Sequence, residues 1–168
     1  AEPSRNCKIR IAPPRANAHA ARSRYRRVPM SFRIHVLPIE TFSPLFALSD
    51  EDLRARDIRR VVADGRPMYP CRVSMQDAVE GERLLLLPHA HHVVETPYRA
   101  SGPIYVREDA LQAQPAPGEV PALLRSRLMS LRAYDARGMM VWADVAPGTD
   151  LELAIDAMFA HERTAYLH

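Results

Sequence analysis

The sequence predicts an α+β fold: a single domain over residues 31–168, with a largely antiparallel sheet and a few short helices. Three observations support this prediction. At 168 residues, the chain has the length of one hydrophobic core, or of one core with a tail. Several strand-like runs are joined by short turns of the kind that hairpins use. The helical patterns are short and do not alternate regularly with strands, as a parallel sheet would require.

The first half of the domain contains two strand patterns and one helix start. FRIHVLP alternates apolar and polar residues, which predicts a half-buried strand over residues 32–36 that ends at Pro38. Ser49 begins the capping-box spacing SDED, so we expect a short helix through about Asp57. IRRVVAD is typical of a second short strand. A helical or turn segment is expected over residues 76–79.

Four consecutive leucines dominate the next predicted strand, over residues 82–87. Because they show no alternation, this strand should be central or covered on both faces. GPIYVRE predicts a further strand, with Pro103 at its beginning, where no ladder donor is needed. RLMSLRAYDARGMMVWADV predicts two strands around a turn in which Gly138 adopts positive φ.

The last elements are a helix and a short strand. Thr149 begins TDLE, a capping box, and apolar residues follow it at helical spacing, so this helix should lay one face on the sheet. TAYLH is typical of the start of one more strand.

The basic residues concentrate in a predicted disordered tail over residues 1–30. Residues 1–29 hold eight of the 23 basic residues and one of the 20 acidic residues, Glu2, and they contain few bulky apolar side chains. Three interpretations are open: a phosphate-binding arm, an organellar presequence, or upstream translated sequence with Met30 as the true start. The abrupt onset of the folded pattern at Ser31 favours the third. Contact with nucleic acid is expected only through this tail.

The composition indicates a cytoplasmic protein that does not enter a membrane. Hydrophobic residues make up 47% and charged residues 26%, as in ordinary globular proteins. The longest aliphatic run is residues 84–87, far short of the roughly 18 apolar residues that a membrane span needs. The two cysteines, Cys7 and Cys71, are too few for a disulfide framework, which favours a reducing compartment.

HAHH, directly after the leucines, raises the question of a metal site. On an extended chain His89 and His91 point to one side and His92 to the other, so one face could offer two imidazoles. No third ligand is spaced to join them. The pattern therefore favours a polar strand end, and we predict no metal and no cofactor.

Cys71 lies beside Arg72, and a neighbouring guanidinium can lower a thiol pKa and activate the thiolate. With His89 or His91 as base, Cys71 could act as a nucleophile. The structural interpretation is an inert, buried cysteine, and it is favoured because free cysteines are among the most buried residues.

The loops that flank the leucine strand carry the donors that would bind a carboxylate or phosphate. The leading hypothesis is a binding module or an enzyme for a small anionic metabolite. The candidate catalytic residues are His91, Tyr98 and Cys71, and the candidate ligand-binding residues are Arg72, Arg99, Ser101, Asp77 and Glu82. Arg107 is a further donor of this type. The alternative is a non-catalytic structural or interaction domain in which Arg72 and Arg99 form internal ion pairs with Asp77 and Glu82. No nucleotide-binding, hydrolase, zinc-protease or CxxC signature is present, and neither activity nor oligomeric state follows from the sequence.

Five segments together carry a family resemblance from about Ser31 to the last residue: FRIHVLP, FSPLFALSDEDLRAR, YPCRVSMQDAVEGERLLLL, TPYRASGPIYVRE and SRLMSLRAYDARGMMV. They resemble family 1203 of the domains of unknown function, a bacterial family. The resemblance implies a small cytoplasmic protein without an assigned activity. Relatives usually have one histidine after the leucines, matching His91, and an aromatic residue at the position of His89. Relatives also continue beyond His168, which implies that this chain lacks a C-terminal segment.

Overall fold

The computed structural model describes residues 32–66 and 68–168, so the predicted tail lies outside the described residues. It confirms the α+β class, and the antiparallel strands form two sheets of three strands each. The strands are β1 (Arg59–Val62), β2 (Arg83–His92), β3 (Ala100–Arg107), β4 (Leu128–Tyr134), β5 (Met140–Pro147) and β6 (Tyr166–Leu167). The helices are α1 (Asp50–Arg54), α2 (Ala122–Arg125) and α3 (Leu151–Phe159), with 3-10 turns at Ile39–Thr41, Ser43–Ala47 and Gly148–Asp150.

The leucine strand is the centre of the first sheet, whose order is β1-β2-β3. Leu85 and Leu87 belong to a buried cluster with residues of β3 and α1, whereas Leu84 packs into a separate cluster with Ala63 and Ala78. Leucines therefore contact apolar side chains on both faces of the strand. This confirms the prediction of a central strand.

The second sheet has the order β5-β4-β6 and carries α3 on one face. Leu131 and Ala133 of β4 pack against Leu151 and Met158 of α3. The turn between β4 and β5 is the predicted one, with Gly138 at a φ of 77°. Because side chains alternate along a strand, burial of Leu131 and Ala133 directs Arg132 to the opposite face.

Three predictions about local structure were wrong. Residues 32–36 form no strand, because the segment has no partner strand among the described residues; the Phe32 carbonyl accepts only from Gly118. Thr149 does not cap α3, which follows a 3-10 turn, has Asp150 as its N-cap residue and makes no side-chain cap bond. Pro103 lies inside β3, opposite Pro88, where β3 is an edge strand and β1 no longer covers β2.

The helices of the described segments are short. In residues 32–66 and 68–168, none has the length and apolar composition that crossing a bilayer would require.

Candidate functional site

A cavity of about 730 Å³ opens between the two sheets, and we call it the intersheet cleft. One wall comes from residues 97–104, which run from the loop before β3 into that strand, together with Arg72 and His91. The other wall comes from the second sheet, through Arg132, Tyr134, Met140 and His168.

A β-bulge near the end of β2 directs His91 into the cleft. Pairing with β3 is regular as far as Ala90, opposite Ser101, and resumes at His92, opposite Ala100. His91 is therefore the extra residue, and a bulge reorients its side chain relative to its neighbours. The side chain of His91 is exposed and lines the cleft, whereas His92 is buried with 2% exposure.

Strand pairing places Arg132 and His168 side by side in the other wall. The amide of each donates to the carbonyl of the other, both at 2.8 Å. Tyr134 lies two residues beyond Arg132, on the same side of β4, and also lines the cleft.

Arg72 is held by its backbone at the outer edge of β3. Its amide donates to the Tyr105 carbonyl at 3.0 Å, and its own carbonyl accepts from Leu37 at 3.3 Å. The guanidinium is partly buried, and burial followed by the positive charge of Arg127 lowers the pKa of Arg72. Asp77 opposes this shift only in part.

The arginines of the cleft differ from most others in the described segments. Arg72, Arg99 and Arg132 make no side-chain hydrogen bond or ion pair with another described residue. The residues lining the cleft include no aspartate, glutamate, asparagine or glutamine. Three arginines therefore line one concave surface whose lining has no carboxylate side chain.

Two further rings pack against Tyr134, which lines the cleft. The ring of buried His92 lies 4.0 Å from Tyr134, and Tyr134 stacks on Tyr166 at 5.5 Å between centroids. His92 Nδ1 is 2.8 Å from the Tyr98 carbonyl and Nε2 is 2.9 Å from the Tyr166 hydroxyl. Because a carbonyl only accepts, Nδ1 carries the proton and Nε2 accepts from Tyr166.

Burial shifts the pKa of three rings in or near the cleft. It raises the pKa of Tyr134, against the lowering effect of Arg132. It lowers the pKa of His168, and the neighbouring His92 and His91 lower it further. The pKa of His89, which packs edge-on against Phe42, is lowered by burial and then by His91.

The lowered pKa values of His89 and His168 predict a loss of stability in mild acid. The unfolded chain titrates near the ordinary imidazole pKa of 6.5, so it takes up protons before the folded chain does. The stabilisation is complete above that pH and is lost as pH falls through the two folded-state pKa values. Urea denaturation at several pH values from about 8 to 5 should show a falling free energy of unfolding. For the H89Q/H168Q double variant, the free energy of unfolding should fall less steeply as pH is lowered. An equal slope would contradict the assignment of the acid sensitivity to these two histidines.

Comparison with known proteins identifies a family for this chain. Residues 68–168 match the family described as "Protein of unknown function (DUF1203)". The chain belongs to the DUF1203 family. The DUF1203 match includes every residue that lines the intersheet cleft, as well as strands β2 to β6, whereas α1 and β1 precede it. No curated protein and no solved structure matches the chain.

Five of the eight residues predicted from the sequence line the cleft of this DUF1203 protein: Arg72, His91, Tyr98, Arg99 and Ser101. Three lie elsewhere. Cys71 is fully buried, and its Sγ accepts from the amides of Ser74 and Arg107 at 3.4 Å. Asp77 pairs with Arg127 at 2.6 Å, and Glu82 pairs with Arg107 and accepts from the Val79 amide.

Four further residues line the cleft that the sequence patterns did not indicate: Arg132, Tyr134, Met140 and His168. The available signal was the alternation of SLRAY, in which Arg132 and Tyr134 fall opposite the apolar positions. Residues 32–66 and 68–168 contain no group of three His, Cys, Asp or Glu side chains arranged to hold a metal.

Proposed function

We propose that the intersheet cleft binds a small anionic metabolite, with Arg72, Arg99 and Arg132 as its anion contacts. The observation that carries this proposal is the charge of the lining: three arginines without an ion pair to a described residue, and no carboxylate side chain. Guanidinium groups bind carboxylates and phosphates through paired N–H donors. Such a lining favours an anion over a neutral or cationic ligand.

The environment of Arg72 also favours a negatively charged ligand. Burial and the charge of Arg127 both disfavour the protonated guanidinium and lower the pKa of Arg72. A bound carboxylate or phosphate would add an opposite charge beside this guanidinium, which Asp77 compensates only in part. Occupation of the cleft by an anion would therefore stabilise the folded protein.

His91 and Tyr98 are the proposed proton-transfer groups at this ligand. An imidazole changes protonation near neutral pH, and a phenol both donates and accepts. Both side chains are exposed and line the cleft. The hydroxyl of Ser101 adds a further donor on the same wall. Together these groups would hold or move a proton at an oxygen of the bound anion.

A second candidate function is a non-catalytic structural or interaction domain. The ion pairs Arg127–Asp77 and Arg107–Glu82 favour it, because both join segments that are distant in sequence. The arginines that pair with these carboxylates are Arg107 and Arg127, and not Arg72 and Arg99 as the sequence suggested. In this case Arg107 and Arg127 would serve the fold, and the cleft would hold no ligand.

A binding experiment tests the anion site directly. Titration calorimetry with phosphate, sulfate and small carboxylates should detect saturable binding of at least one of them to the wild-type protein. R72Q and R132Q should each weaken that binding by about tenfold or more, as expected when a charged hydrogen bond is lost. R56Q is the matched control, because Arg56 is exposed and does not line the cleft. Absence of binding, or equal weakening by R56Q, would overturn the proposal.

The effect of replacing Arg99 on the free energy of unfolding distinguishes the two candidate functions. If Arg99 is held for a ligand, R99A should change the free energy of unfolding by less than about 0.5 kcal/mol. R127A is the comparison variant: it leaves partly buried Asp77 without its cation and removes a bond to the Leu123 carbonyl, so about 1 to 3 kcal/mol should be lost. Chemical denaturation measures both. A loss for R99A as large as that for R127A would favour the structural domain.

A further inference from the structure

We infer that the ligand of the intersheet cleft is an aromatic acid, that is, a planar ring that carries a carboxylate or a phosphate. This inference rests on the proposed anion site and goes further by naming the class of ligand. It is carried by the size of the cleft, by the rings in its walls and by the side-chain types that its lining lacks.

The cleft is much larger than an inorganic anion. Its volume of about 730 Å³ lies within the range of roughly 300 to 1,000 Å³ that organic ligands occupy. A phosphate or acetate in contact with one arginine would leave most of this space filled with solvent. An organic body attached to the anionic group would fill it.

Rings line both walls of the cleft. Tyr98 and His91 belong to the first wall, and Tyr134 and His168 belong to the second. Tyr98 meets Tyr134 edge-on with centroids 6.2 Å apart, and His91 meets His168 in the same manner at 6.0 Å. Tyr98 is 37% exposed, so part of its ring is open to a ligand. Tyr134 is only 3% exposed, so the open ring surfaces are those of Tyr98 and His91 on one wall and His168 on the other. These surfaces favour a planar ring that stacks or packs edge-to-face.

The side chains that are missing from the lining argue against a sugar phosphate. Sugar hydroxyls are donors that need acceptors, and carboxylates and side-chain amides are the residues that supply them. The lining has neither, and Pro97, Pro103, Ile104 and Met140 contribute apolar surface instead. The side-chain acceptors that remain are hydroxyls and imidazoles, so a hydroxyl-rich ligand would replace only part of its hydrogen bonds to water. An unsubstituted ring would lose none.

Matched pairs of probes test the ring requirement. Benzoate is compared with cyclohexanecarboxylate, and phenyl phosphate with inorganic phosphate and a hexose phosphate, by titration calorimetry. The aromatic member of each set should bind about tenfold more tightly, because one favourable aromatic contact is worth roughly this factor. The carboxylate and phosphate arms also show which anionic group the cleft prefers. In NMR spectra, the ring protons of His91 and His168 should shift with the aromatic probes.

Tyr98→Leu is the decisive variant, because it removes an exposed ring and keeps the backbone carbonyl that His92 holds. It should abolish most of the aromatic preference, whereas Tyr69→Leu, a ring outside the cleft, should preserve it. Equal binding of aromatic and non-aromatic anions would overturn the aromatic inference and leave the anion site intact. Failure of every anion to bind would overturn the proposed function itself.

Discussion

The variant Gly148→Ala is expected to lose about 3 kcal/mol or more of folding free energy. Gly148 is buried where β5 leads into α3, and its amide donates to the Arg127 carbonyl at 2.7 Å. A Cβ at this position would lie 2.5 Å from the carbonyl carbon and oxygen of Arg125, and still closer to the Leu124 oxygen. These are backbone atoms of α2, which cannot rotate away as a side chain can. The helix would have to move off the sheet.

Thermal and urea denaturation measure this loss, which corresponds to a fall in melting temperature of roughly 10 °C for a chain of this size. Gly118→Ala is the matched control. Gly118 has a φ of 76°, and an added Cβ meets nothing within 4 Å, so only the backbone penalty of about 1 kcal/mol applies. Equal losses in the two variants would show that steric conflict with α2 does not decide the role of Gly148.

Local sequence patterns were sufficient for the strands whose partners follow closely in the chain. The hairpin of β4 and β5 was predicted because two apolar runs flank a glycine turn. Each of these strands pairs with the other, so its partner lies nearby in the sequence. The leucine strand was predicted to be central because it lacks a polar face. By contrast, residues 32–36 alternate as a strand does, but alternation does not reveal whether a partner strand is present.

The candidate site was predicted in part for a similar reason. Arg72, His91, Tyr98, Arg99 and Ser101 were chosen because their segments border the leucine strand, and the antiparallel pairing of β2 with β3 keeps most of them close. Arg132 and His168 were missed because the pairing of β6 with β4 joins residues far apart in sequence. The bulge at His91 also has no local signature, so the burial of His92 could not be predicted from the alternation of HAHH.

His92→Leu should lose about 2 to 4 kcal/mol of folding free energy and should also weaken anion binding. His92 is 2% exposed and joins three parts of the structure: β2, the loop carbonyl of Tyr98 and the hydroxyl of Tyr166 in β6. Leucine fills a similar volume but leaves both partners without their hydrogen bond, and a buried polar group without a partner costs about 1 to 3 kcal/mol. Because Tyr98 lines the cleft, loss of its anchor should also loosen the wall that carries Arg99 and Ser101.

Tyr166→Phe isolates one of the two bonds of His92 and should lose only about 1 kcal/mol. In a double-mutant cycle of His92→Leu and Tyr166→Phe, the two losses should not add, and the coupling should be about 0.5 to 1.5 kcal/mol. Strict additivity would mean that the bond between His92 and Tyr166 contributes nothing to stability. If His92→Leu retained full anion affinity, the buried histidine would have no role in anion binding by the cleft. Weakened affinity together with coupling would instead mean that the contact between the sheets maintains the shape of the binding surface.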